Sequence, residues 1–494
     1  MESPDGEEAH LVDTSRESLD DRHFANEIDL LDLDDVEFGE DSPTGDPTPS
    51  ASIAGLVTEI IAVEQHLQAK GSIPSAAFNI ANTVIGAGIL SLAFALRMSG
   101  PLIGMILMVV MCILAGITIQ FLVLVSHAHP EVEKTYEGIS KAAFGRVGVM
   151  AVAFAVAGSN MGGMVSYTMA IIESIRPILL ILSDNILPSS YAHSLNMLLQ
   201  YRLFLLVPVA AILLLLTLSP YIRWLAYTSF LSLLAVLLVS IYLAVQALLH
   251  SWASLESGST AANEVVSWEF WESIGALWVP IPSWRFFLTI PAIAYAFSCH
   301  TSVFPVYREL KRASPQRMAL ASWPALFFCL LVYMLGGAGG FFLFQSQTCG
   351  NILQNFANNN LAINGLRLLF ALTLLLTYPL CFFSTRQVLD YLIFCERKDR
   401  YRVRFYAWTL SLNLTVWLIA LIAPNIALVF DLAGSTSGAL SSYILPSLLF
   451  IKMAPARYRS LKVFAGVLCV AGVLLAICGT TATIIAWIFP FHAC

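Results

Sequence analysis

Asn79, Asn82 and Thr83, followed by Gly86, Ala87 and Gly88, place neutral oxygen donors and pliable backbone inside an apolar stretch. That stretch, Ile73 to Leu96, carries no charged side chain. A helix that only had to lie in lipid would not set two amides at mid-depth, because an unpaired buried amide costs about 2–7 kcal/mol. Glycine lets the chain leave helical geometry and approach a guest closely. Non-helical backbone survives at membrane depth only where it is buried in protein or lines a cavity. A second stretch repeats the pattern: Ser298, Cys299, His300, Thr301 and Ser302 stand just ahead of Pro305. That proline removes a backbone donor and is expected to disrupt the helix around residue 301. The chemistry such breaks suit is non-covalent. Free N–H groups at the start of a half-helix hold a carboxylate, and free carbonyls hold a cation.

The elements that must position these residues are transmembrane helices. Of 494 residues, 57% are apolar and 12% charged, the balance of an all-α polytopic membrane protein. Apolar spans fall near 73–97, 101–126, 147–182, 203–219, 223–249, 283–306, 318–346, 362–392, 405–423, 425–451 and 461–490. Each is at or near the ~20 residues that cross hydrocarbon, so eleven transmembrane helices are expected over a domain of residues 71–494. The third and eighth are long enough to tilt or to end outside the membrane. The N-terminal 50 residues hold 17 of the 33 acidic residues against Arg16 and Arg22, for a net −15. Residues 1–70 therefore read as an acidic, disordered tail, with no cleavable signal peptide. If that tail is cytosolic, 18 basic residues fall in the inner loops and five at the outer side. This bias puts the N-terminus inside and, with an odd span count, the C-terminus outside or in a lumen.

Nine cysteines are present, seven in or beside spans. Cys349 and Cys494 fall on the outer side, where an oxidising compartment permits a bridge. There is no Cys-x-x-Cys, metal-spaced Cys/His cluster, phosphate-cradling loop or nucleophile elbow, so enzymatic chemistry has no visible support.

The two interrupted helices stand five spans apart, first and sixth. Interrupted segments at corresponding places in two halves point to an inverted repeat with its site near the midplane. Spans one to five and six to ten form the repeats, and the eleventh is an addition.

Each residue also has a plainer reading. Gly86 and Gly88 suit close helix packing, and His300 suits a satisfied interior histidine. Thr373 and Thr377, four apart on the eighth span, put both hydroxyls on one face, yet membrane threonines often bond their own i−4 carbonyl. Glu173 and Asp431 are the acidic residues nearest membrane depth and are functional candidates by default. Glu173 and Arg176, three apart, could simply pair.

The stretch Phe78 to Leu96, FNIANTVIGAGILSLAFAL, resembles the first span of the amino acid/auxin permease family, specifically its sodium-coupled neutral amino acid transporter (SNAT) group. The stretch Phe297 to Leu310, FSCHTSVFPVYREL, is similar to that group's sixth span, and Thr377-Tyr-Pro379, Arg386 and Gly434 to Pro446 also fit. The resemblance covers roughly residues 70 to 490. It implies a LeuT-like 5+5 inverted repeat with eleven helices. It also implies a Na⁺ site at Asn82 and Thr377 (or Thr373), and an amino acid held against the unwound backbone of Ile85 to Gly88 and Cys299 to Ser302. The loop Ser251 to Pro282 lacks the cysteine and glycosylation sequon that plasma-membrane relatives carry there, which leaves the plasma membrane and endolysosomal membranes both open. The one sequon, Asn413-Leu-Thr415, lies inside a span. In the tail, Leu30, Leu31, Leu33 and Asp34 resemble a clathrin-box peptide.

The resulting expectation is secondary active transport of neutral amino acids by Na⁺ symport. Two alternatives stand beside it. One is a proton-coupled endolysosomal carrier with His300 or Asp431 moving the proton. The other is an amino acid sensor that signals through the N-terminal tail. No cofactor is expected beyond Na⁺ or H⁺ as the coupling ion.

Overall fold

A computed structural model describes residues 71–86, 88–218, 228–256, 284–394 and 401–489. The clathrin-box-like segment, Ala87, most of the loop Ser251 to Pro282 and Cys494 lie outside the described residues.

The first span breaks where its glycines stand. Helix α1 (Ile73–Val84) starts with Ser72 accepting from the Ser75 amide at 3.3 Å and with proline in its first turn. It stops at Ile85, whose backbone is extended. Helix α2 (Ile89–Ser99) resumes at 61° to α1, and residues 89 to 96 are all buried. Gly100, at φ +81°, a conformation glycine adopts without penalty, turns the chain into α3 (Pro101–Ala128). Helix α4 (Tyr136–Ile186) kinks at Gly145, φ +60°, so the third span proper starts beyond it. A short α5 (Ser189–Leu199) meets α6 (Arg202–Leu218) at 79°, and α7 (Thr228–Glu256) completes the first half.

The second half opens with the other break. Helix α8 (Phe286–Ala296) ends, residues 297 to 299 leave helical geometry, and His300–Ser302 form one 3₁₀ turn before α9 (Val303–Glu309). Pro305 is the third residue of α9, where a helix has no intrahelical use for the missing N–H. Then follow α10 (Pro315–Phe344), α11 (Leu361–Phe394) and α12 (Tyr401–Ile422). Helix α13 (Ile426–Ala433) runs through π-helical turns at Gly434–Gly438 and Leu440–Ile444 into α14 (Leu445–Met453). Helix α15 (Arg459–Ile488) packs outside.

Among the described residues, eight segments are long and apolar enough to cross a bilayer, and the bent pairs α1/α2 and α5/α6 add two. The π-interrupted run from α13 to α14 is an eleventh, so the chain is a multi-pass, all-helical membrane protein.

Two features hold the halves in register. On one face, Gly71 donates to the Glu309 carbonyl and Lys311 to the Gly71 carbonyl, both at 2.9 Å, which ties the start of α1 to the end of α9. In the interior, the Tyr378 hydroxyl donates to Asn413 Oδ1 at 2.8 Å, and Asn413 Nδ2 donates to Thr217 Oγ1 and the Thr409 carbonyl at 3.0 and 2.9 Å. This network joins α6, α11 and α12 with every amide group used. It also leaves the sequon asparagine with no exposed surface.

His129, just past α3, reaches α14 across the same face as Gly71. Its Nε2 lies 3.0 Å from the Met453 carbonyl and its Nδ1 2.9 Å from Glu131 Oε1. The carbonyl first, then the carboxylate, raise the imidazole pKa. Glu131, lowered by its own backbone N–H and by His129, stays ionised in the relevant range. A pKa raised by folding contributes stability that is full below the unfolded value of about 6.5 and is lost as pH rises through the folded value. His129→Gln is expected to lower the melting temperature of the detergent-solubilised protein at about pH 6 more than at about pH 8.5. An equal effect at both would exclude the linkage.

Candidate functional site

The two breaks meet across a cavity of about 350 Å³. From the first come Asn82, Thr83, Val84, Ile85, Gly86 and Gly88, and from the second Ser298, Thr301, Ser302 and Pro305. Gly88 is closest to the partner break: a Cβ there would lie 3.4 Å from that of Ala296. One side chain bridges both breaks. The buried Tyr333 hydroxyl of α10 lies 2.6 Å from the Val84 carbonyl and 3.2 Å from the Ala296 carbonyl. It meets two of the carbonyls that the ends of α1 and α8 leave without helical partners.

The candidate residues divide between wall and packing. Asn82 Oδ1 is buried and has no hydrogen-bond partner, and it shares the cavity with Thr377 of α11. The Thr377 hydroxyl donates to the Thr373 carbonyl at 2.8 Å, so its lone pairs remain available. Thr373 bonds the Leu369 carbonyl at 2.9 Å, is buried, and is not on the cavity wall. Four residues along a helix advance about 6 Å, which carries Thr373 past the cavity even though it shares the Thr377 face. Asn79 is also off the wall, and its carbonyl accepts from the Thr83 hydroxyl at 2.9 Å.

At the second break, Cys299 and His300 turn away from the cavity while Ser298, Thr301 and Ser302 line it. His300 Nε2 is 2.8 Å from Thr118 Oγ1 of α3. That hydroxyl already donates to the Leu114 and Ala115 carbonyls at 2.9 and 3.1 Å, so His300 is the donor and its Nδ1 is an acceptor. Nδ1 is buried without a partner. Ser298 Oγ meets Ser442 Oγ at 2.8 Å, which couples this break to the π-helical stretch.

Sequence reasoning missed one wall entirely. Ser159, Gly163 and Tyr167 of α4, four apart, line the cavity together with Asn160, a small-and-polar stripe visible in the third span. Tyr295 closes over Gly163, donating to the Ser159 carbonyl at 2.7 Å and packing on Phe430 with ring centroids 5.5 Å apart. Cys381 and Ser384 extend the Thr377 stripe along α11.

No described residue on this wall bears a formal charge. The electrostatics come from helix ends. The start of α2 has no side-chain cap and directs partial positive charge into the break, while α1 and α8 end there with partial negative charge. A guest with a carboxylate and an ammonium finds both signs supplied by dipoles.

A family model described as transmembrane amino acid transporter protein matches residues 69–485. Among solved structures, the inward-facing conformation of Mhp1 is similar at a TM-score of 0.51 and 14% identity, with 84% of this chain and 89% of that chain covered. A manganese transporter of Eremococcus coleocola, in complex with an aromatic bis-isothiourea compound, has a TM-score of 0.48 at 13% identity, covering 93% and 92%. A Na⁺-coupled sialic acid symporter has 0.47 at 15%, covering 84% and 88%. The fold is the LeuT-like five-plus-five repeat.

Proposed function

The chain belongs to the transmembrane amino acid transporter family, and from that premise we propose that it is a secondary active carrier of neutral amino acids driven by Na⁺ symport. It is a transporter rather than an enzyme. The observation that carries the finer reading is the pair of neutral oxygens, Asn82 Oδ1 and Thr377 Oγ1, on a wall without a formal charge. A hard cation takes oxygen ligands. With no carboxylate on the wall, a monovalent ion is favoured over a divalent one. The same wall argues for a substrate whose side chain is uncharged, since an extra charge would find no counter-ion. The zwitterion's carboxylate would face the start of α2 and its ammonium the ends of α1 and α8. Coupling follows if ion and substrate together bind one conformation better than the other, because only differential affinity shifts a population.

Proton coupling is the second reading. It is favoured by the unpartnered His300 Nδ1 and by Asp431, which is 2% exposed on α13.

The test is uptake of a radiolabelled amino acid panel into proteoliposomes under an inward Na⁺ or an inward H⁺ gradient. Concentrative uptake of uncharged amino acids with Na⁺ alone is the expected result. Uptake driven only by H⁺ would transfer the role to His300 and Asp431. Preference for cationic or anionic amino acids would refute the substrate class.

A further inference from the structure

Formal charges in this chain are sparsely paired. Among the described residues, the ion pairs within 4 Å are His129–Glu131 and Arg404–Asp390. Glu173 and Arg176 therefore stay apart, against the expectation of a simple pair, and Glu173 is held instead by Asn351 Nδ2 at 2.8 Å. A dense run of cations lies in the turn from α9 to α10, where Arg308, Lys311, Arg312 and Arg317 follow closely in the chain. Arg308 has Glu137 nearby. The side chains of the other three make no hydrogen bond, ion pair or ring contact among the described residues. Lys311 and Arg312 are exposed. Arg317 is partly sunk into the protein, with its Nε buried and unpartnered, and a desolvated cation without a counter-charge is costly.

The turn that carries these charges is tightly held. Its carbonyl at Glu309 and its N–H at Lys311 both bond Gly71 at 2.9 Å, and a Cβ at Gly71 would lie 2.7 Å from the Glu309 oxygen. Arg312 sits at φ +52°, a left-handed conformation that residues other than glycine take rarely. Such strain persists only where the surroundings fix it. Here they are the Gly71 bridge on one side and Ser314 on the other, which caps α10 by accepting from the Arg317 N–H at 3.3 Å.

Beyond the turn, α10 carries an apolar stripe. Leu320, Trp323, Phe327 and Leu331, three or four apart, are all exposed and share one helix face. On a spanning helix such a face meets lipid tails. Gln316, exposed and one turn ahead of Leu320, joins the stripe to the cationic turn.

We propose that the α9–α10 turn is the headgroup site of an anionic phospholipid. The phosphate sits on Lys311, Arg312 and Arg317, and the acyl chains lie along the stripe from Leu320 to Leu331. A guanidinium fork matches two phosphate oxygens at once, and basic side chains at the end of a spanning helix attract negative headgroups. The basic bias of the sequence assigns this face to the cytosol, whose leaflet holds the anionic lipid. Because the same turn is bonded to Gly71, a bound headgroup holds the start of α1 against the end of α9. It favours the conformation that keeps this bridge, by differential affinity alone. The site does not depend on which ion or amino acid the central cavity takes.

The test is the melting temperature of the full-length, detergent-purified protein with added dioctanoyl phosphatidylglycerol, dioctanoyl phosphatidylcholine or glycerol 3-phosphate. Wild type is expected to melt about 3 °C higher with phosphatidylglycerol than with phosphatidylcholine. Most of that excess should vanish when NaCl rises from about 0.1 M to about 0.5 M. The variant Lys311→Gln with Arg312→Asn is expected to melt as wild type does in phosphatidylcholine and to lose at least about half of the excess, asparagine being tolerant of the left-handed backbone. Arg317→Gln, expected to lose a similar share, carries the test if the paired variant does not fold. An equal rise with phosphatidylcholine, or an excess that survives in the variants, overturns the site. An equal rise with glycerol 3-phosphate would make the occupant a soluble phosphate and overturn the lipid.

Discussion

Asn82→Ala is expected to raise the Na⁺ requirement of uptake about 10- to 100-fold while leaving the ion-free protein as stable as wild type or more so. The two effects have one cause. Asn82 Oδ1 is buried with no hydrogen-bond partner, and an acceptor stranded that way costs about 1–3 kcal/mol. Alanine removes the stranded group and with it that cost. It also removes the oxygen that would face the cation. A bond from a neutral group to a full charge is worth about 1.5–3 kcal/mol, so the loss should weaken Na⁺ binding about 10- to 100-fold. Two readouts separate this role from simple packing: the Na⁺ concentration for half-maximal uptake, and the rise in melting temperature that Na⁺ produces. The first should increase by that factor, and the second should need correspondingly more Na⁺ in the variant. An asparagine that only packs would show lower stability with unchanged Na⁺ dependence, and that result would reject the ion site.

The second large effect is on folding. Arg367 is 1% exposed and is the largest fully buried side chain on α11. Its guanidinium holds the loop after α10 by the carbonyls of Leu353 and Phe356, and braces Asn364. Arg367→Met keeps the apolar stem and removes the donors. Two buried carbonyls are then unpaired at about 1–3 kcal/mol each, so the destabilisation should reach about 2–6 kcal/mol. Because membrane proteins often unfold irreversibly, the measurement is the inactivation half-life in detergent at fixed temperature. A large shortening is expected. Lysine should not rescue, because a compact ammonium lacks the planar fork that reaches several carbonyls at once. An unchanged half-life in Arg367→Met would mean that water meets those carbonyls and that the loop does not depend on the arginine.

The breaks were readable because their causes are local. Glycine at 86 and 88, and proline at 305, act on the backbone within a turn of where they stand, so the helix ends fall close to the expected places. The division of Ser298 to Ser302 into cavity and packing residues was not readable. It depends on a single 3₁₀ turn, and one residue of phase would have exchanged His300 with Thr301. Thr373 and Thr377 share a face by spacing, but depth along the axis separates them, and depth is set by where the first break sits beside α11. The α4 stripe could have been found by scanning for small and polar residues four apart. Tyr333 could not, since nothing in its neighbourhood sets it apart until two distant carbonyls come within reach.

By itself, the chain's sequence determined that it crosses a membrane many times, where two of those crossings break, and that the breaks carry neutral oxygen donors rather than charges. These follow from hydropathy over about 20 residues and from backbone rules that act over three or four. Only tertiary structure decided which donors face one another, that His300 turns to Thr118, and that Glu173 and Arg176 stay apart. Those outcomes depend on helix rotation and axial offset between segments far apart in the chain, where shifts of a few ångströms separate a ligand from a packing contact.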